Sequence, residues 1–252
     1  RRPRADRGVA AMIVLSIGTT HPWNVAGVGR DLAVGGELGA RVFTAIAGVS
    51  AQDARGLVVL HAVPADVLAA QLAALPWDSA GAVRIGALPT LPAVRAVAEA
   101  LAERSWLPVV VDPVFSASRG GELSDSAARY GVRDELARLP NVLLTPNLDE
   151  AAFLLGTGGI ERDSIGDAAT ALKARGAAAV LVKGGHLAGD PADALATTDG
   201  VEIFSEPRIA GAMHGTGCTL AMSLACELAR GTPIGHAVRA ARAYVRAQLA
   251  RH

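Results

Sequence analysis

Aromatic residues are scarce: Phe, Trp and Tyr together supply 4% of the 252 residues. The core must then be built from Ala, Val and Leu, within a hydrophobic share of 51%, a mixture that suits a parallel sheet covered on both faces. Net charge is also missing. The 24 basic residues balance 24 acidic ones, so no global field draws the chain to nucleic acid or to a membrane surface. There are two cysteines, Cys218 and Cys226, eight apart on one expected helix. That is about 12 Å along the axis, too far for a disulfide without distortion, which fits a reducing cytoplasm. No apolar run approaches the roughly 20 residues of a membrane span, and Met12–Ile17 is too short for the core of a secretory signal. The basic stretch over residues 1–10 reads as a disordered leader. With no Pro/Ser-rich linker beyond it, residues 11–252 read as a single domain.

What is present is an alternation of short apolar runs with amphipathic ones. Strands are expected at Met12–Ile17, Arg41–Ala47, Leu57–Val63, Ala82–Ile85, Val109–Val111, Val142–Leu144 and Val180–Val182. Helices are expected at Ala26–Leu38, Ala65–Leu75, Leu91–Glu103, Asp125–Leu139, Leu148–Leu155, Asp167–Arg175, Thr219–Arg230 and Pro233–Leu249. Asp193–Ala196 and Val201–Phe204 flank Thr197–Gly200 as a hairpin. This alternation implies crossovers and a mostly parallel sheet with helices on both faces, an α/β class. In such sheets ligands bind beyond the carboxyl ends of the strands.

Four polar segments begin at those ends: Asp112, Pro146-Asn147, Lys183-Gly184 and Gly18-Thr19. His214-Gly215-Thr216-Gly217-Cys218 precedes a helix, where uncovered backbone N–H groups and the helix dipole favour an anion. A thiol at that position has its pKa lowered toward the thiolate, so an anion cradle and a candidate base coincide. The alternative is a Gly-rich turn into a buried helix, with Cys218 as a small core residue. Asn147 and Glu150 share a face at a helix start. They read either as neighbours of a Mg²⁺ ion, Glu150 through water, or as a favourable acidic helix opening. Lys183 reaches phosphate as a flexible point charge beside Gly184-Gly185, which permit close backbone approach, or else is an ordinary strand-end lysine. Asp112 places a carboxylate at the end of Val109–Val111. His186 reads equally as loop residue or ligand contact. Cys226 reads as core.

Taken in order, the segments Asp112-Pro113-Val114, Thr145–Ala151, Val182–His186 and His214–Leu220 resemble the hydroxymethylpyrimidine and hydroxymethylpyrimidine-phosphate kinases of thiamin biosynthesis, in the ribokinase-like superfamily. The resemblance runs from about Val14 to about Leu249. It implies a three-layer ribokinase-like sandwich, ATP and Mg²⁺ as cofactors, a small heterocyclic alcohol as partner, and a homodimer. It also implies transfer residues Gly215, Thr216, Gly217 and Cys218; phosphate contacts at Lys183, Gly184, Thr216 and, through a D-x-L likeness, Asp193; and a metal near Asp112, Asn147 and Glu150. Asp31 matches an acidic position of the family, although a solvated helix residue explains it as well.

The acceptor segments depart from the family pattern. Where relatives carry Asp-Pro-Ser-Gly-Gly-Ala-Gly, this chain has Thr20-His21-Pro22-Trp23-Asn24-Val25-Ala26-Gly27, with one extra residue and both central glycines replaced. Lys-Ile-Gly-Met-Leu becomes Arg84-Ile85-Gly86-Ala87-Leu88, and Val-Ala-Gln-Asn becomes Ser50-Ala51-Gln52-Asp53. Trp23, Ala26, Gly27, Ser50, Gln52, Ala87 and Val114 are thus the expected acceptor contacts, in a pocket whose shape has changed. A pyridoxal- or pyridoxine-type kinase, or a pyrimidine-binding paralogue without turnover, are the alternative readings.

Overall fold

The computed structural model describes residues 12–53, 55–185, 187, 189–211 and 213–251. The expected leader over residues 1–10 and His186 lie outside them. Nine strands form one sheet: β1 (Met12–Thr20), β2 (Ala40–Asp53), β3 (Gly56–Ala62), β4 (Ala82–Ile85), β5 (Val109–Val111), β6 (Val142–Leu144), β7 (Ala179–Gly184), β8 (Ala192–Thr197) and β9 (Gly200–Ser205). Their order across the sheet is β3-β2-β1-β4-β5-β6-β7-β8-β9. From β2 to β7 all neighbours are parallel, whereas β3 at one edge and β8 and β9 at the other pair antiparallel. The eight α-helices are α1 (Gly27–Glu37), α2 (Ala65–Ala73), α3 (Leu91–Ala102), α4 (Ser126–Gly131), α5 (Leu148–Leu155), α6 (Ile165–Lys173), α7 (Thr216–Ala229) and α8 (Ile234–Leu249).

Strand residues alternate between two apolar layers, as the pleat requires. Leu15, Ile17, Val83, Ile85, Val109 and Val111 pack on one face with Leu68, Val94, Leu154 and Leu172 from α2, α3, α5 and α6. Val14, Ala82, Val110 and Leu181 pack on the other with Val34, Met222 and Val238 from α1, α7 and α8. The result is the expected three-layer sandwich.

Several bounds differ from the sequence expectation. β1 continues through Gly18-Thr19-Thr20, and β2 through Ser50–Asp53, because pairing rather than apolar pattern sustains them; the outer part of β2 pairs with β3. Asp125–Leu139 is not one α-helix. α4 ends at Gly131, where a Cβ would meet Leu91 Cδ1 at 2.6 Å, and a wider π-type turn follows over Val132–Leu136. α7 begins at Thr216, three residues earlier than expected.

The chain leaves β1 toward β2 on one side and leaves β4 toward β5 on the other. The carboxyl ends of β1 and β4 therefore flank a topological switch point, the preferred ligand crevice of an open α/β sheet.

Candidate functional site

The expected residues from four strands converge on this crevice. Asp112 follows β5, Asn147 lies just past β6, Lys183 sits near the end of β7, and Gly86-Ala87 follow β4. Lys183 donates to Asp112 Oδ1 at 2.6 Å. Thr145 Oγ1 lies 3.4 Å from the same oxygen. Asp112 Oδ2 faces Arg84 Nη2 at 3.2 Å. Burial opposes the charge of Lys183, but Asp112 and Glu150 outweigh it and hold its pKa above the ordinary range.

The opening of α7 completes the site. Its first intrahelical bond runs from Thr219 N–H to Gly215 O at 2.8 Å. The amides of Thr216, Gly217 and Cys218 precede that bond and have no helical acceptor. Gly217 lies against the charged pair: a Cβ there would stand 3.4 Å from Lys183 Nζ and 3.6 Å from Asp112 Oδ2. Gly215 takes φ +75°, and a Cβ on it would come within 2.1 Å of Val25 O. Only glycine combines that left-handed backbone with such close approach. The start of α1 thus presses on the start of α7. Arg30 on α1 strengthens the joint by donating from Nε to Thr219 Oγ1 at 3.0 Å.

Cys218 is 9% exposed. Its sulfur lies beside the Gly27 N–H and the Arg84 guanidinium, both of which favour the thiolate. The helix start was expected to lower the pKa of this thiol. The opposite holds: burial pushes it up, with Asp112 and Asp31 adding to the rise and Arg84 opposing it. Desolvation outweighs the dipole here because the sulfur sits under the first turn rather than in water.

This geometry agrees with what the chain is similar to. Residues 22–252 match the profile of the phosphomethylpyrimidine kinase family. A hydroxymethylpyrimidine/phosphomethylpyrimidine kinase of Streptomyces coelicolor is 39% identical over 94% of this chain and 88% of its own length. One from Rhizobium meliloti is 37% identical over 94% and 90%. Among solved structures, the pyridoxal kinase of Staphylococcus aureus in complex with AMP-PCP and pyridoxal superposes with TM-score 0.83 at 26% identity, covering 94% of this chain and 87% of that one. The chain belongs to the phosphomethylpyrimidine kinase family. It is a phosphotransferase with the ribokinase-like fold.

Within this kinase the expected metal residues are arranged as a helix cap. Asn147 Oδ1 accepts from Glu150 N–H at 2.9 Å and Glu150 Oε2 accepts from Asn147 N–H at 2.8 Å, a reciprocal capping box that opens α5. The helix-opening reading of these residues is the one this geometry displays, and the cap borders the charged crevice. No cluster of three His, Cys, Asp or Glu able to grip a metal directly exists among the described residues. Burial drives the Glu150 pKa up to about 7, Lys183 lowers it and Asp112 adds to the rise. A buried carboxylate so reluctant to ionise next to another is a place that accepts added positive charge. That suits Mg²⁺ held through water, the way this ion prefers to bind.

Asp193, expected as a phosphate contact, is held by partners within the fold. Its Oδ1 accepts from Gly184 N–H at 2.9 Å and its Oδ2 pairs with Arg242 of α8. Both oxygens are engaged, and the Gly184 N–H is taken up in fixing the turn after β7.

The acceptor segments line the β1–β4 side. Ala26 N–H donates to His21 Nε2 at 3.2 Å, and Gly27 takes φ +61° with Thr19 O 2.3 Å from where a Cβ would be. Ser50 Oγ is 3.3 Å from Thr20 O and accepts from Gln52 Nε2 at 3.0 Å, which leaves the carbonyl end of Gln52 for a ligand. Ala87 is 5% exposed, Trp23 is 57% exposed in the turn after β1, and Val114 N–H closes a tight turn on Asp112 O at 2.8 Å.

Sequence reasoning missed Arg84 and left Asp31 open between a family match and a solvated helix residue. Asp31 is fully buried rather than solvated; it accepts from Ser16 Oγ at 2.7 Å and faces Arg84 Nη1 at 3.1 Å. Arg84 was read only as a change from the family lysine. A charge inside the four-residue strand Ala82–Ile85 was the available signal, because a buried cation requires partners.

Proposed function

We propose that this kinase transfers the γ-phosphoryl group of ATP to the hydroxymethyl oxygen of hydroxymethylpyrimidine, and to the phosphate of its monophosphate, in thiamine biosynthesis. The observation that carries the reading is the meeting of uncovered α7 amides, Lys183 and the Cys218 sulfur at one end of the sheet. The hydroxyl oxygen forms the new bond to phosphorus as the bond to the ADP oxygen breaks, and the hydroxyl proton passes to the Cys218 sulfur, whose thiolate the Arg84 charge favours against the burial that raises its pKa. The amides of Thr216, Gly217 and Cys218 stabilise charge on the phosphoryl oxygens during transfer. Lys183 binds the nucleotide phosphates, with the Gly184 backbone beside it. Asn147 and Glu150, with Asp112 behind them, would hold Mg²⁺ through water. When bound, that ion neutralises phosphate charge. For the monophosphate, a phosphate oxygen takes the place of the hydroxyl and needs no base.

On the acceptor side, Gln52 reads the ring edge. Ala26, Gly27, Ser50, Ala87 and Val114 shape the pocket, and Trp23 stacks over its mouth. A planar ring stacked on Trp gains about 1 kcal/mol beyond its buried area. The same reading carries a homodimer and a cytoplasmic setting.

The test is ADP release with hydroxymethylpyrimidine, its monophosphate and pyridoxal in turn. The two pyrimidines are expected to give the higher kcat/KM. Release with pyridoxal alone would make this a pyridoxal-type kinase, and release with none would leave a binding protein.

A further inference from the structure

We infer that Arg84 is a positioning residue for phosphoryl transfer: one buried guanidinium that spans Asp31 and Asp112 and so sets Asp112, with Lys183 on its other oxygen, against α1 and the first turn of α7. This rests on the kinase reading above and adds a residue to it.

Four observations support the assignment. Arg84 is 0% exposed and lies on the same pleat face of β4 as Ala82, which packs toward α1 and α7. Its two terminal nitrogens face different carboxylates, Asp31 Oδ2 at 3.1 Å and Asp112 Oδ2 at 3.2 Å. The guanidinium also lies over the backbone at Gly86, where a Cβ would stand 2.1 Å from Nη1, so the glycine that begins the acceptor segment makes room for it. Finally, the arrangement is poor as a stability device. Nε and Nη1 of Arg84 and Oδ1 of Asp31 are buried without hydrogen-bond partners. A buried ion pair with unmet donors is commonly bettered by apolar residues of similar volume. Its position under the site accounts for it: the guanidinium faces Asp112, just past β5, and Asp31 of α1, and its charge acts on Cys218 of α7.

The planar fork is essential to that geometry. A lysine supplies the same charge at a single point and does not bridge two carboxylates in fixed directions. Arg84→Lys is therefore expected to lower kcat by about tenfold to hundredfold, the order of loss caused by small misplacement of reacting groups. KM for ATP should stay within about threefold, because Lys183 and the α7 amides remain. Arg84→Met/Asp31→Asn removes one cation and one anion together and keeps the Asp112–Lys183 pair. It is expected to unfold at or above the parent's Tm while kcat stays about a hundredfold down.

Parental kcat in the double variant would show that Arg84 only balances the charge of Asp31. Should the double variant not fold, Arg84→Lys decides alone: parental kcat there overturns the inference, and a reduced kcat with unchanged KM for ATP supports it. The parent's own ADP release with hydroxymethylpyrimidine is measured first. Its absence refutes the functional reading, whereas parental kcat in the variants refutes only the role of Arg84.

Discussion

Asp31 illustrates how far a residue's chemistry depends on what folds over it. In sequence it is one acid among small residues at a helix start. In the fold it is fully buried, and burial raises its pKa to about 6 against the pull of Arg84 and the Ser16 hydroxyl. A raised carboxylate pKa means that the folded chain holds the proton to higher pH than the unfolded chain. Between about pH 4 and 6 the native state binds more protons, and stability declines as pH rises through that window. The difference of about two units corresponds to roughly 3 kcal/mol. Melting of the parent and of Asp31→Asn from pH 4 to 7 should show the parent losing Tm more steeply. Parallel curves would mean that Asp31 ionises as freely as in water. Cys218 obeys the same logic. Its place at a helix start was legible in the sequence, but the sign of its shift was not, because desolvation depends on the β4 and α1 residues that cover it.

At the scale of elements, most strands and helices could be read from apolar periodicity. The misreadings fall where another force decides. β2 runs on through Ser50–Asp53 because β3 pairs with it, and no apolar alternation marks that stretch. α7 starts at Thr216 although Gly217 disfavours helix, since the turn is held by the contact of Gly215 with Val25 and by Arg30 on Thr219. That contact makes a test. Gly215→Ala must strain a φ of +75° and displace Val25 O, whereas Gly231→Ala meets the same type of backbone, φ +82°, in open space. Gly231→Ala should lose about 1 kcal/mol and keep activity. Gly215→Ala should lose more, up to about 3 kcal/mol, and should also raise KM for ATP, because the amides of the first turn move with it. Equal losses and unchanged KM would show that the two helix starts are not mechanically joined. Thermal melts and initial rates on both variants decide the matter.

Across the whole molecule, residues as distant in sequence as Asp31, Arg84, Asp112, Lys183 and Cys218 meet at the β1–β4 switch point. The transfer motif, the capping pair Asn147/Glu150 and Lys183 were legible because each has a local signature: glycines before a helix, an acid three residues after a cap, a cation at a strand end. Arg84 and its pairing with Asp31 were not, because what marks them is each other. The pairing of Asp193 was hidden for a related reason, since its partner Arg242 comes from a helix 49 positions later in the chain.

The central claim is that Cys218, at the opening of α7, takes the proton from the acceptor hydroxyl. Single-turnover formation of phosphorylated hydroxymethylpyrimidine from ATP, followed by mass spectrometry, tests it in the parent, Cys218→Ala and Cys226→Ala. Cys226 is a core residue on the far side of α7's first turns and its alanine variant should match the parent. Cys218→Ala should bind ATP within a few-fold of the parent and form product about a hundred- to ten-thousandfold more slowly, the range for loss of a general base. Product formation by Cys218→Ala at the parental rate would contradict the claim.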